Sequence, residues 1–236
     1  IAEDPRVLLP AMVAMDGFLT SHTAMAVDLP DQQTVDAFLP PCAVPRRLRH
    51  DRPATVGGLT WPRETELHRR EIEEAMERVP EVMDDALVTF RRLFGRVPDG
   101  PVVKEQTADA DTILIATNTM AATVRNVVRE RRARGERVGM IRIKQFRPFP
   151  RAEILDAIGG AKKVGVLDRN HSPGSGGIFW NEVATTLAGG KRDVIVQDYI
   201  VGIGGGDVTP ALVGNIADDL ALRTIAEKPV WKEIVQ

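Results

Sequence analysis

The residues best equipped for chemistry fall in four short polar stretches. Asp168-Arg169-Asn170-His171 sets a carboxylate, a guanidinium, an amide and an imidazole side by side, and Ser172-Pro173-Gly174-Ser175-Gly176-Gly177 follows at once. A glycine-rich turn ahead of a helix can hold an anion on its backbone amides and on the positive end of the helix. A second glycine cluster, Gly202-Ile203-Gly204-Gly205-Gly206-Asp207, follows the next apolar run. The remaining two stretches are Asp16-Gly17-Phe18-Leu19-Thr20-Ser21-His22-Thr23 and Phe146-Arg147-Pro148-Phe149-Pro150, in which two prolines present Arg147 rigidly.

Each stretch also has a plainer reading. Ser172 to Gly177 lacks the Gly-Lys-Ser/Thr of a P-loop, and no glycine stands at the last place of a dinucleotide fingerprint, just ahead of Trp180. A tight turn that lets strand and helix pack closely is therefore favoured over a phosphate cradle. Asp168 beside Arg169 is expected to be a structural pair fixing loops, with contact to an anionic substrate or cofactor as the alternative. His171 has no visible partner for proton transfer, and Arg147 reads as an interface residue. The second glycine cluster either closes on a ligand or partner or is pinned as a helix start by Asp207 and Thr209, and the helix start is the more economical choice. No Ser-His-Asp elbow, paired-carboxylate spacing or metal motif is visible.

The elements that must position these stretches alternate between strand and helix in the second half of the chain. Strands are expected at Thr112–Ala116, Val138–Ile143, Val164–Leu167 and Val194–Val196. Helices are expected from about Met120 to Arg134, from Pro150 through Ile158, from Ile178 to Leu187, and from Thr209-Pro210 to about Leu222. This alternation predicts a mostly parallel sheet with flanking helices, an α/β fold covered on both faces. Polar loops at the strand ends then lie together at the carboxyl edge, where ligands and partner domains dock.

The first half is organised differently. Val7 to Met15 reads as one buried strand, at an edge or bulged because of Pro10, that completes a domain lying upstream. Asp31 to Leu39 reads as a short helix stopped by Pro40-Pro41. A proline-rich connector with Arg46, Arg47, Arg49 and Arg52 follows, expected to be solvated or interface-paired rather than phosphate-binding. Arg63 to Phe94 carries an apolar stripe at helical spacing (Ile72, Met76, Val79, Met83, Ala86, Leu87, Phe90 and Phe94), with Pro80 expected to kink or split it and Gly95 to close it. Pro98 to Pro101 reads as a second linker.

Composition narrows the function classes. The 236 residues suffice for a proper core, and a formal net charge of -2 gives no electrostatic case for nucleic acid or an anionic membrane. No apolar run approaches the ~18 residues of a membrane span. One cysteine, Cys42, excludes an internal disulfide and any iron–sulfur cluster or cysteine-rich zinc site built from this chain, and fits a cytoplasmic setting. The four histidines show no metal-ligand spacing. The start, Ile1-Ala2-Glu3-Asp4, has neither an initiator Met nor a signal-peptide pattern and reads as the middle of a longer polypeptide.

As an ordered set, Val7-Leu8-Leu9-Pro10, Asp16 to Thr23, Leu29-Pro30-Asp31-Gln32, Phe146 to Pro150, Val166-Leu167-Asp168-Arg169-Asn170, Ser172 to Gly177 and Gly202 to Thr209 resemble the later part of the alpha subunit of pyruvate and 2-oxoacid:ferredoxin oxidoreductases. The resemblance implies thiamine-dependent oxidative decarboxylation of a 2-oxoacid to an acyl-CoA, with electrons passed to ferredoxin. It implies three parts: residues 1–30 as the end of a thiamine-pyrimidine-type domain, 31–105 as a connector and helical arm, and 106–236 as an α/β domain resembling the transketolase C-terminal domain. Thiamine diphosphate and Mg are implied only for the whole complex, with beta, gamma and delta-type subunits as partners, iron–sulfur clusters on other subunits, and ferredoxin and coenzyme A acting at complex level. No catalytic residue and no metal site is assigned to this chain. Asp16, His22, Arg147, Asp168, Arg169, Asn170, Ser172, Gly174, Gly176, Gly177, Gly204, Gly205 and Asp207 are expected to line an interface or border the active site. Gly206 stands where the family often has arginine. Two other readings stay open, a non-catalytic assembly module and a nucleotide- or CoA-binding α/β domain.

Overall fold

In the computed structural model, which describes residues 1–42, 48–190 and 193–232, the chain divides into two compact units. The first comprises Ile1–Ala14 and Thr23–Pro98, the second Met15–His22 and Asp99–Gln236. In chain order the helices are α1 (Leu19–His22), α2 (Gln32–Phe38), α3 (Pro62–Phe94), α4 (Met120–Ala133), α5 (Arg151–Ile158), α6 (Ile178–Gly189) and α7 (Pro210–Leu222). The strands are β1 (Val102–Glu105), β2 (Thr112–Ala116), β3 (Val138–Ile143), β4 (Lys163–Asp168), β5 (Ile195–Val201) and β6 (Val230–Lys232).

The first unit is helical. Asp31 caps α2 by accepting the Thr34 N–H at 2.9 Å, and Pro40-Pro41 follows the helix as expected. The 33-residue α3 runs unbroken through Pro80 and closes on Gly95 at φ 65. Its buried face is Ala75, Val79 and Val82, packed with Val7, Leu9 and Met76, whereas Ile72 of the expected stripe is exposed. Phe38 meets the Phe90 and Phe94 rings edge-on at 5.5 Å.

The strand expected over Val7–Met15 does not form. Met12 and Val13 are 99% and 97% exposed, and none of the six strands pairs with this segment. A strand is stabilised by a neighbour that takes its backbone hydrogen bonds, and an apolar pattern alone supplies none. Arg46 and Arg47 of the expected connector lie outside the described residues.

The second unit is a six-stranded sheet in the order β1-β3-β2-β4-β5-β6, with β1 antiparallel to β3 and every other pairing parallel. Alternate residues of the strands feed two cores, because successive side chains of a strand point to opposite faces. Leu114, Met140, Leu167 and Tyr199 pack under α4 and α7, while Ile113, Ile115, Ile141 and Val166 pack under α5 and α6. The mostly parallel, doubly covered sheet is therefore as expected. The two short edge strands are additions: β1 lies inside the stretch read as connector, and β6 follows α7. The fourth expected strand also runs on, since β5 continues through Gln197, Asp198 and Tyr199, all buried, to Val201.

The order of the strands decides where a site can lie. From β2 the chain steps outward to β3, then crosses back to β4 and continues to β5 and β6. The direction of winding thus reverses between β2 and β4, and loops leaving neighbouring strands there diverge and open a crevice at the carboxyl edge.

Candidate functional site at the carboxyl edge

Four loops meet at this edge: Thr117–Thr119 after β2, Asp168–Gly177 after β4, Gly202–Thr209 after β5, and the Met15–His22 segment. The start of α6 is the most heavily bonded part. A helix begins with backbone N–H groups that have no partner within it, and here side chains take four of them. Gly177 N–H donates to Asp198 Oδ2 at 2.8 Å and Ile178 N–H to Asn170 Oδ1 at 2.8 Å. Phe179 and Trp180 donate to the two oxygens of Asp168, at 3.3 and 2.8 Å. Asn170 Nδ2 in turn donates to Asp168 Oδ1 at 3.0 Å.

Both acids are fully buried. Burial pushes the Asp168 carboxyl up to about 6, the nearby Asp198 charge adds to this, and the amide donors pull the other way. Burial also raises Asp198, against the Gly177 N–H and the charge of His171. This explains the glycines. A Cβ on Gly177 would collide with Asp168 Oδ2, and one on Gly176 (φ +89) would sit 2.6 Å from Asp198 Oδ2. The turn itself is closed by Ser172 N–H to Gly176 O at 2.8 Å and Gly176 N–H to Ser172 O at 3.1 Å, with Gly174 at its exposed tip. The positive end of α6 is thus filled by the chain's own carboxylates, and the tight-turn reading of Ser172–Gly177 holds. Asp168 differs from expectation in its partners, which are helix amides and Asn170 and not Arg169.

Arg169 turns instead toward the neighbouring loops. Its Nη2 donates to Gly206 O at 3.3 Å, and its buried Nε makes no hydrogen bond. Gly202, at φ +62, leaves room for it, since a Cβ there would lie 2.9 Å from Arg169 Nε. Across the winding reversal, Asp16 Oδ2 accepts the Thr119 N–H at 2.6 Å, a bond spanning 103 residues of sequence. Burial works against the Asp16 charge, but the Thr119 hydrogen bonds and the Arg169 charge outweigh it and hold the carboxyl below its ordinary range. The Arg169 charge, at the end of β4, thus acts on a carboxylate seated on the loop after β2.

The other expected residues are more dispersed. Arg147 stacks on Phe146 at 4.1 Å and donates to Glu182 Oε1 on α6 at 2.6 Å, so it ties the loop after β3 to that helix. His22 is exposed, bonded to Ser21 Oγ at 2.7 Å and stacked on Phe18 at 5.2 Å. His171 meets the Trp231 ring at 4.8 Å. Gly204 and Gly205 sit exposed in a short 3-10 turn. Thr209 caps α7 by accepting the Leu212 N–H at 3.2 Å, whereas Asp207 is exposed. Sequence reading missed Thr119 and Asp198. The run Thr117-Asn118-Thr119 at a strand end was a visible polar signal, whereas Asp198 lay hidden because the strand was ended too early.

Among the described residues no group of three or more His, Cys, Asp or Glu side chains is arranged to hold a metal ion, and no helix is long and apolar enough to cross a membrane.

Residues 110–213 match the family model described as pyruvate:ferredoxin oxidoreductase core domain II, and residues 1–87 match the one described as pyruvate flavodoxin/ferredoxin oxidoreductase, thiamine diP-binding. Pyruvate synthase subunit PorA of Methanothermobacter thermautotrophicus is 40% identical over 92% of this chain and 55% of its own length. The PorA subunit of Pyrococcus furiosus is 37% identical over 89% of this chain and 53% of its own length. Ketoisovalerate oxidoreductase subunit VorA of Pyrococcus abyssi is 35% identical over 91% and 54%. The chain spans about half the length of the curated relatives it matches.

Proposed function

The chain belongs to the family of pyruvate and 2-oxoacid:ferredoxin oxidoreductase alpha subunits, and on that premise we propose that it is part of a complex that oxidatively decarboxylates a 2-oxoacid, with pyruvate the favoured substrate. The products are carbon dioxide and an acyl-CoA, and the electrons released pass to ferredoxin. The carrying observation is the match to PorA subunits along nearly the whole chain, at 40% and 37% identity for two of them, beside a VorA subunit at 35%.

Within that complex this chain assembles and borders the active site. Thiamine diphosphate supplies the carbanion chemistry of such enzymes when bound, and its diphosphate needs amide donors, cations or a metal. The described residues do not fit that end. The α6 amides are consumed by Asp168, Asp198 and Asn170, and Asp16 occupies the start of α4. In the helical unit, a cavity of about 570 Å³ is lined largely by apolar residues such as Phe38, Val82 and Phe90. Among the described residues the lining arginine is Arg6, paired with Asp4 and Asp85, and Glu3 adds further negative charge. In this reading the diphosphate end of the cofactor with its Mg, and the iron–sulfur clusters, belong to the rest of the complex, with beta, gamma and delta-type subunits as partners in the cytoplasm. The same amide accounting disfavours a nucleotide site at Ser172–Gly177.

Pyruvate, coenzyme A and a viologen dye given to the intact, cofactor-loaded complex test the reading. Dye reduction that depends on both substrates is expected. A loaded complex inert toward pyruvate and 2-oxoisovalerate alike overturns it.

A further inference from the structure

We propose that Asp16 is a positioning residue: its carboxylate, seated on the Thr119 amide at the start of α4, holds the polar loop 17–22 in place at the winding reversal of the sheet. This deepens the proposed function and rests on it, because it supplies the means by which the loop borders the active site.

The argument starts from what each side lacks. Helix α4 has no side-chain cap of its own. Thr119 sits at φ -68, ψ -31, in helical rather than extended geometry, and its hydroxyl makes no capping bond. Its N–H needs an acceptor from elsewhere, and Asp16 provides one at 2.6 Å. The loop is equally short of means to hold itself. Helix α1 has four residues and buries none of them, far below the length at which a helix persists unaided. Phe18 is 81% exposed and carries a left-handed backbone at φ 59, which a bulky residue adopts only when something outside it compels that conformation. The remaining bonds, such as His22 N–H to Phe18 O at 2.9 Å and Ser21 Oγ with His22 Nδ1 at 2.7 Å, are internal to the loop. They shape it without fastening it. Asp16 supplies the hydrogen bond that fastens it to the α/β unit.

Arg169 completes the arrangement. It reaches from the end of β4 to Gly206 O with Nη2, while its field favours the Asp16 carboxylate. The same guanidinium thus bonds the loop after β5 and carries a charge that favours the Asp16 carboxylate.

The test uses the intact complex with Asp16→Ala and Asp16→Asn. Hydrogen exchange of the amides of residues 17–22 is expected to accelerate about tenfold or more in the alanine variant, as local opening becomes easier. In turnover, kcat is expected to fall about tenfold with KM for the 2-oxoacid little changed, since misplacing a bordering loop disturbs the reacting geometry more than substrate capture. Asparagine keeps an oxygen for the Thr119 N–H and is expected to restore both readouts in part or in full. Unchanged exchange in the alanine variant overturns the proposal, and so does an asparagine variant indistinguishable from alanine. A wild-type complex without activity sinks the functional reading instead, and leaves the exchange measurement to judge the loop by itself.

Discussion

Two helices begin within the same carboxyl edge, and they solve the same problem in opposite ways. At α6 the open amides are met from within, by Asp168 at the end of β4, Asn170 two residues on, and Asp198 on the adjacent β5, all inside 31 residues of sequence. At α4 the start is met by one carboxylate from 103 residues away. The first arrangement is buried and redundant, with glycines shaped around its oxygens. The second is half-buried and rests on one side chain, which accepts from Thr119 and Asn118. Bonding shared among several buried side chains holds a helix start more firmly than bonding that rests on one half-buried carboxylate. The contrast suggests that α6 anchors the fold and α4 carries the junction with a movable loop.

The largest expected effect that separates them is Asp168→Ala. It orphans two buried amides and leaves a small void, so the complex should lose roughly 3 kcal/mol of stability in urea titration. Asp168→Asn, neutral and similar in shape, should lose less. Equal losses for Asp168→Ala and Asp16→Ala would erase the distinction between the two starts.

Proton binding sharpens it further, because the two acids respond with opposite sign. Asp168 is raised from 3.8 to about 6, so the folded state holds a proton that the unfolded state has released. Its contribution should therefore decline by roughly 3 kcal/mol as pH rises from about 4 to about 6, at ~1.36 kcal/mol per unit, and then level off. Asp16 is lowered, so its contribution is present above the ordinary carboxylate pKa and is lost as pH falls through the folded value. Stability measured against pH should fall less steeply in Asp168→Asn, where the raised Asp198 still contributes, and keep its full downward slope in Asp16→Asn.

Smaller effects follow from the turn before α6. Gly177→Ala drives a methyl group into Asp168 and should cost about 2 kcal/mol of thermal or urea stability. Gly174→Ala has open space around it and strains only the backbone at φ +83, which should cost about 1 kcal/mol. At the far end of the series, Asp16→Ala should cost about 1 kcal/mol, the usual worth of one helix cap. Calorimetric melting of the intact complex would rank the three.

Much of the α/β unit could be read from sequence because its signals are local. Thr112–Ala116 and Val138–Ile143 are strands within the same bounds as expected, and Thr209-Pro210 opens a helix as its residue types dictate. The edge strands β1 and β6 are three or four residues long, too short for any periodicity to show. β5 was cut short because Gln197 and Asp198 look like loop residues. Their burial becomes tolerable only once Gln197 donates to Asp198 O and Lys228 O, and Asp198 accepts the Gly177 N–H. The Val7–Met15 error ran the other way, an apolar run with no sheet to join.

By itself the sequence determined the alternation of elements, the doubly covered sheet, the family, and the placement of two glycine loops beside each other at one edge. Those features depend on periodicity, caps and turn chemistry, which act over a few residues. Only the tertiary structure decided what the glycine loop is for and what Asp16 does. A polar side chain's role depends on which donors and acceptors burial has left without water, and that is settled by segments tens of residues apart. Asp168 and Asp198 became helix caps, and Asp16 came to seat on the Thr119 amide, because the winding of the sheet brought those segments together.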